Sequence, residues 1–140
     1  MEFNIIAVIV AIATNFILGF VWYTPLFGKK WASEMGHDPN MKPDKNTMIK
    51  GMTFMVIGNI LFVFVLSWTM IAWWHLPNVK EVGPLIHALN SAFFLWLGFY
   101  VPTHLSAIAW EKKSWTLFAI NGGYHLASLL VVALILTYWP

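Results

Sequence analysis

Apolar residues run in four long blocks along this chain, and polar residues collect in the three connections between them. The blocks cover residues 3–23, 51–74, 84–110 and 114–139, and none holds Asp, Glu, Lys or Arg except at its margins. About 20 consecutive apolar residues are needed to cross the hydrocarbon core of a bilayer. Each block is therefore long enough to span. Runs such as LFVFVLSW lack the strict alternation of a transmembrane strand. In lipid the backbone must satisfy its own hydrogen bonds, so each block is read as a helix. The pattern predicts an all-α membrane protein, with four transmembrane helices as two hairpins in one compact bundle over residues 1–140. The opening Met-Glu lacks a basic n-region, and the charge-free run behind it is longer than a signal sequence needs, so the first block reads as a retained span.

The first connection, residues 24–50, is the only substantial polar segment. Pro25 is expected to end the first helix, because the residue before a proline is pushed away from helical geometry. Trp22 and Tyr23 would then sit at headgroup level. Leu26, Phe27 and Trp31 beside Lys29 and Lys30 predict a short interfacial helix after the first span. GHDPNMKPDKN is a polar turn with two prolines. The second connection, residues 75–83, is short, and Pro84 suits the first position of the third helix. Residues 111–114 make a tight third turn. Pro102 removes the hydrogen bond to the carbonyl of Gly98 and should bend the third helix, with the hydroxyl of Thr103 or a water meeting the freed group.

Charge decides orientation. Lys29, Lys30, Lys42, Lys45, Lys50, Lys112 and Lys113 fall in the first and third connections, and only Lys80 in the second. This bias predicts a multi-pass protein of the cytoplasmic (inner) membrane, with residues 24–50 and 111–114 cytoplasmic and both termini outside.

Composition narrows the chemistry. The 140 residues are 59% hydrophobic and 10% charged, against about 25% charged in an ordinary soluble domain. All eight basic residues are lysine. The small positive charge and the missing arginines give no nucleic-acid groove. With no cysteine there is no disulfide, thiolate metal site or cysteine nucleophile. The nine tryptophans suit membrane interfaces.

The candidate functional residues are the polar ones inside the blocks. Each span carries one asparagine away from its ends: Asn15, Asn59, Asn90 and Asn121. Spacing and depth predict an inner-half cluster of Asn15, Asn59, His104, Asn121 and His125, the last two being four residues apart on one helical face. A second polar group, His87, Asn90 and Ser91, shares a face toward the other side. Ala7, Ala11, Asn15 and Gly19 recur every fourth residue, a small-residue seam along which another helix can approach closely. Two roles are open to the asparagines and histidines. They can be interhelical glue, in a bundle that assembles with itself or with another membrane protein. Alternatively they can line a polar site for an uncharged or weakly charged solute, in a small permease or channel-like module. Three histidines on two helices without a carboxylate give no expected metal site, and no cofactor is expected. Catalysis has little to build on without an intramembrane acid or cysteine. The missing carboxylate also weighs against ion-driven transport.

The chain also echoes itself. Ala13-x-Asn15, Gly19-Phe20, Tyr23-x-Pro25 and Lys29-Lys30-Trp31 are answered by Ala88-x-Asn90, Gly98-Phe99, Tyr100-x-Pro102 and Lys112-Lys113-Ser114-Trp115. With gaps allowed, this is a weak two-hairpin internal repeat, of the kind that places a twofold axis along the membrane normal.

Three phrases carry a family resemblance: GFVWYTPLFGKKW at residues 19–31, WLGFYVPTHL at 96–105 and LFAINGGYHL at 117–126. On these the chain resembles the small integral membrane proteins grouped as domain of unknown function 1761. The resemblance covers almost the whole chain, with the first phrase the most specific. It implies a bacterial-type four-span protein with no established activity, and it carries over no catalytic residues.

Overall fold

The computed structural model describes all residues, 1–140, and is helical throughout, without strands. The chain order is α1 (Ile5–Val21), α2 (Gly28–Glu34), α3 (Lys45–Trp74), α4 (Val79–Val82), α5 (Pro84–Leu95), α6 (Val101–Glu111) and α7 (Trp115–Tyr138). A π-helical turn at Trp22–Leu26 prolongs α1, and a second at Trp96–Tyr100 joins α5 to α6. Counting these turns, four helices are long and apolar enough to cross a membrane: Ile5–Leu26, Lys45–Trp74, Pro84–Glu111 and Trp115–Tyr138.

Side-chain caps mark the starts of three of them. Asn4 accepts from the backbone of Ile6 and Ala7, Asp44 from Asn46 and Thr47, and Ser114 from Leu117. Each cap satisfies amide groups that a helix start leaves without an intrahelical partner. Gly83, in the left-handed region at φ 84°, turns the chain into Pro84 at the head of α5. Lys112, also left-handed at φ 55°, closes α6 so that α7 can fold back at once.

The long helix α7 lies at the centre, packed most extensively against α1 and α5, while α3 leans on α1. The core is a thin strip: Val8 and Ala11 from α1, Val63, Leu66 and Met70 from α3, Ala88 and Ala92 from α5, and Leu129, Val132 and Ala133 from α7. The outward faces present Ile9, Ile17, Phe54, Leu61, Phe94 and many similar side chains. A water-soluble bundle could not leave so much apolar area uncovered, whereas lipid tails accept it.

Three details depart from the sequence expectations. Pro25 does not end the first helix. The chain stays helical to Leu26 through the wider π turn, which the amide of Phe27 closes on the carbonyl of Trp22 at 2.9 Å. The extra residue in that turn makes room for the proline ring, which in a regular α-turn would clash with a carbonyl. Pro102 is accommodated in the same way, just after the π turn of Trp96–Tyr100. The hydroxyl of Thr103 donates to the carbonyl of Phe99, at 2.7 Å, and not to that of Gly98. Finally, α3 begins at Lys45, within residues 24–50. Its 30 residues extend about 45 Å, well beyond the roughly 30 Å of a hydrocarbon core.

The helix α2 closes over the start of α7. Glu34 pairs with Lys30 at 2.7 Å and accepts a hydrogen bond from Ser114. At the opposite end Asn4 donates to the carbonyl of Pro140 at 3.2 Å, bringing the two termini together.

Candidate functional site

Three helices meet at Asn15. The hydroxyl of Ser128 on α7 donates to its side-chain oxygen at 2.6 Å, and its amide nitrogen donates to Asn59 on α3 at 2.8 Å. Asn59 in turn donates to the backbone carbonyl of Ile12 at 2.8 Å. Asn15 is buried, as are Ala7, Ala11 and Gly19 along the same face of α1. That face is turned inward against α7. The space beside Gly19 takes the hydroxyl of Tyr124, which would lie only 3.0 Å from a β-carbon placed there.

Asn121 is not part of this chain of bonds. It accepts from the hydroxyl of Tyr23 at 2.9 Å, nearer the start of α7. The π turn is what brings Tyr23 there. It also turns Trp22 inward, and the indole of Trp22 donates to the carbonyl of Ile120 at 3.0 Å. Trp96, the first residue of the second π turn, donates to the carbonyl of Gly122 at 2.8 Å. Two indoles from two helices thus hold α7 by backbone carbonyls two residues apart. A carbonyl oxygen has a second lone pair, so neither bond breaks the helix. Sequence reasoning placed Trp22 and Tyr23 at the headgroups and missed this grip. The proline three residues after Trp22 was the available signal, since a proline inside a helix often forces a wider turn.

His104 and His125 form a third arrangement. Their rings stack with centroids 5.3 Å apart, and Tyr100 lies on the other neighbour position of His125 at 4.2 Å. The Nε2 of His104 is buried without a hydrogen-bond partner. These three rings line one end of a cleft of about 790 Å³ between α3 and the α5–α6 helix, whose walls include Leu61, Val65, Leu95 and Leu129. A smaller adjoining hollow of about 270 Å³ reaches inward to Asn15, Asn59 and Ser128. Small-molecule sites are commonly clefts of roughly 300–1,000 Å³ with apolar walls and a few convergent polar groups. No further histidine or carboxylate joins the pair as a metal-binding group.

The second polar group meets a different hollow. His87 is buried, its Nε2 3.0 Å from the carbonyl of Met70, with its ring against Trp74 at 5.3 Å. Ser91 is buried beside it with an unpartnered hydroxyl, while Asn90 is exposed. All three line a pocket of about 300 Å³ under the α3–α4 turn. The five inner candidates therefore divide into a closed Asn15–Asn59–Ser128 contact, a separate Asn121–Tyr23 contact, and an open histidine pair.

No curated protein and no solved structure matches the chain. The family model described as "Protein of unknown function (DUF1761)" matches residues 6–137. With four membrane-span-length helices and a match over nearly its whole length, the chain belongs to the DUF1761 family of unknown function.

Proposed function

We propose that this protein is a membrane-embedded binding module that takes an uncharged solute, entering sideways from the bilayer, at His104, His125 and Tyr100. The observation that carries this reading is the cleft of about 790 Å³, apolar along its walls and ending in Tyr100, His104 and His125, with the Nε2 of His104 left without a partner. Polar groups in hydrocarbon are costly and mark function more often than they do in water. In this reading Asn15, Asn59 and Ser128 serve packing, because their bonds already close on one another. At the other end His87 alone of the second group has such a contact, with the carbonyl of Met70. Asn121 holds the π turn through Tyr23.

The test fills the cleft. Gly58 lines it, and a β-carbon there would meet nothing within 4 Å, so Gly58→Phe should fold. Protein purified in mild detergent should release an apolar small molecule on solvent extraction, and Gly58→Phe should lose it. Equal extracts from both proteins, with equal folding, would defeat the reading.

Assembly with a second copy or another membrane protein is the second reading. The exposure of residues 45–58, the entire first half of α3, favours it. The small-residue face of α1 is not available for such a contact, being packed against α7. Cross-linking through single cysteines in residues 45–58 would reveal a partner.

The lysine distribution supports an inner-membrane orientation with residues 24–50 and 111–114 cytoplasmic. The bond between Asn4 and Pro140 supports termini on one side, which by the lysine bias is the outer one. Reporter fusions at each terminus should be silent in the cytoplasm, and an active one would reverse the orientation.

A further inference from the structure

The cleft is polarised along its length. On α3 it runs from Gly58 to Trp73, about 22 Å at 1.5 Å per residue. Along that distance the hydroxyl of Thr69 is spent on the carbonyl of Val65, and that of Thr103 on Phe99. What remains to recognise a ligand is gathered mainly at one end, in the hydroxyl of Tyr100 and the imidazole of His125 with the buried Nε2 of His104 behind them, while the other end offers only the indole of Trp73. No Lys, Asp or Glu lines the cleft, and the chain has no arginine. An anionic headgroup would be left unpaired there, and a cationic one likewise. The polar end is walled by aromatic rings, with Phe99 beside Tyr100, His104 and His125. Such rings favour a flat partner through offset or edge-to-face contacts.

We propose that the cleft binds a ring-headed isoprenoid lipid of the quinone class. Its chain lies along α3 toward Trp73, and its ring oxygens accept hydrogen bonds from Tyr100 and the histidines. The inference rests on the binding reading above and specifies the ligand for that same cleft. An uncharged head with two carbonyl oxygens matches an uncharged set of donors. The long apolar groove matches a single long hydrocarbon tail, and the open side lets the ligand arrive from the lipid phase. The turn Trp96–Tyr100 gives the site its shape. Its extra residue, fixed by the indole of Trp96 on α7, sets where Tyr100 and His104 fall relative to α5. Single π turns in helices recur at functional sites for this reason.

The experiment uses the full chain in nanodiscs of zwitterionic lipid, titrated with a decyl-substituted benzoquinone while tryptophan fluorescence is read. Trp73 lines the cleft and should report the ligand. The expected result is saturable quenching that is reduced in Trp73→Phe and absent in Gly58→Phe. Tyr100→Phe removes only a hydroxyl, keeps the ring, and should weaken binding by about tenfold, the effect of one good hydrogen bond. His125→Leu should do the same, with Tyr100→Phe deciding the matter if that variant misfolds. A parallel titration displaces a fluorescent alkyl probe with monoolein, which has a tail but no ring. If monoolein competes for the cleft while the quinone quenches linearly and equally in Gly58→Phe, the ring-headed ligand is wrong and the binding cleft survives. If neither compound binds saturably, both the ligand and the binding reading fall.

Discussion

Asn15 shows how one side chain can set the position of three helices. It both accepts and donates, so Ser128 of α7 and Asn59 of α3 are fixed relative to α1 by a single amide. Interhelical hydrogen bonds in membranes contribute about 0.6–2 kcal/mol each. Asn15→Leu removes two of them and should destabilise the bundle by roughly 1–4 kcal/mol on that scale. Ser128→Ala removes one and should cost about half as much. Unfolding in mixed micelles measures both, and equal losses would show that Asn59 is held by something else. Glu34 is a surface counterpart. Hydrogen bonds from Lys30 and Ser114 hold its carboxyl below its ordinary value of 4.5. A carboxyl whose folded pKa is lowered stabilises the folded state above its unfolded pKa, and that contribution disappears as pH falls through the folded one. The contact of α2 with the start of α7 should therefore be intact at neutral pH and loosen below about pH 4.5. Glu34→Gln should abolish the dependence, as read by hydrogen exchange of residues 28–34.

The two π turns are where helix sequence and helix shape part company. A proline in a span predicts a break or a bend, yet both spans absorb theirs by widening one turn, around Pro25 in the first and just before Pro102 in the third. The gain is directional: each turn begins with a tryptophan that reaches the backbone of α7. Pro102→Ala restores an amide and removes the ring clash, so the turn at Trp96–Tyr100 should relax toward regular α-helix. Spin-label distances between the ends of α5 and α6 should then change by a few ångströms, of the order of one or two residues' rise. An unchanged distance would mean that Trp96 alone sets the turn. At Gly28, between the first π turn and α2, a β-carbon would lie 2.5 Å from the carbonyl of Tyr23. Gly28→Ala cannot keep this geometry. It should displace α2, separate Glu34 from Ser114 and raise proteolysis of residues 35–44, with the spans still helical by circular dichroism.

At the scale of the whole molecule, few residues are fully enclosed, and the first half of α3 is exposed along its length. Stability must then depend on the surrounding solvent more than in a soluble domain of this length. Shortening the lipid chains of the bilayer should lower the unfolding temperature more than Ser128→Ala does, because α3 is already longer than a typical core. What the linear sequence determined was the class of object. Four apolar blocks and the polar connections dictate four helices, since a backbone in lipid has no other way to satisfy its amides. The same reasoning found the small-residue face of α1, because a four-residue period needs no knowledge of neighbours. It also found the asparagines and histidines as candidates. Tertiary structure alone decided how they are grouped. Residue spacing put Asn121 at the depth of Asn15, yet Asn15 meets Ser128, seven residues further along α7, and Tyr23, eight residues beyond Asn15 on the first span, takes Asn121. His104 and His125 are left open, because α3 leans on α1 and stands away from α6. Position along one helix can be read from the spacing of residues, but which residues of two helices come level and which faces meet depend on offset, rotation and tilt, and these are set only when the helices pack.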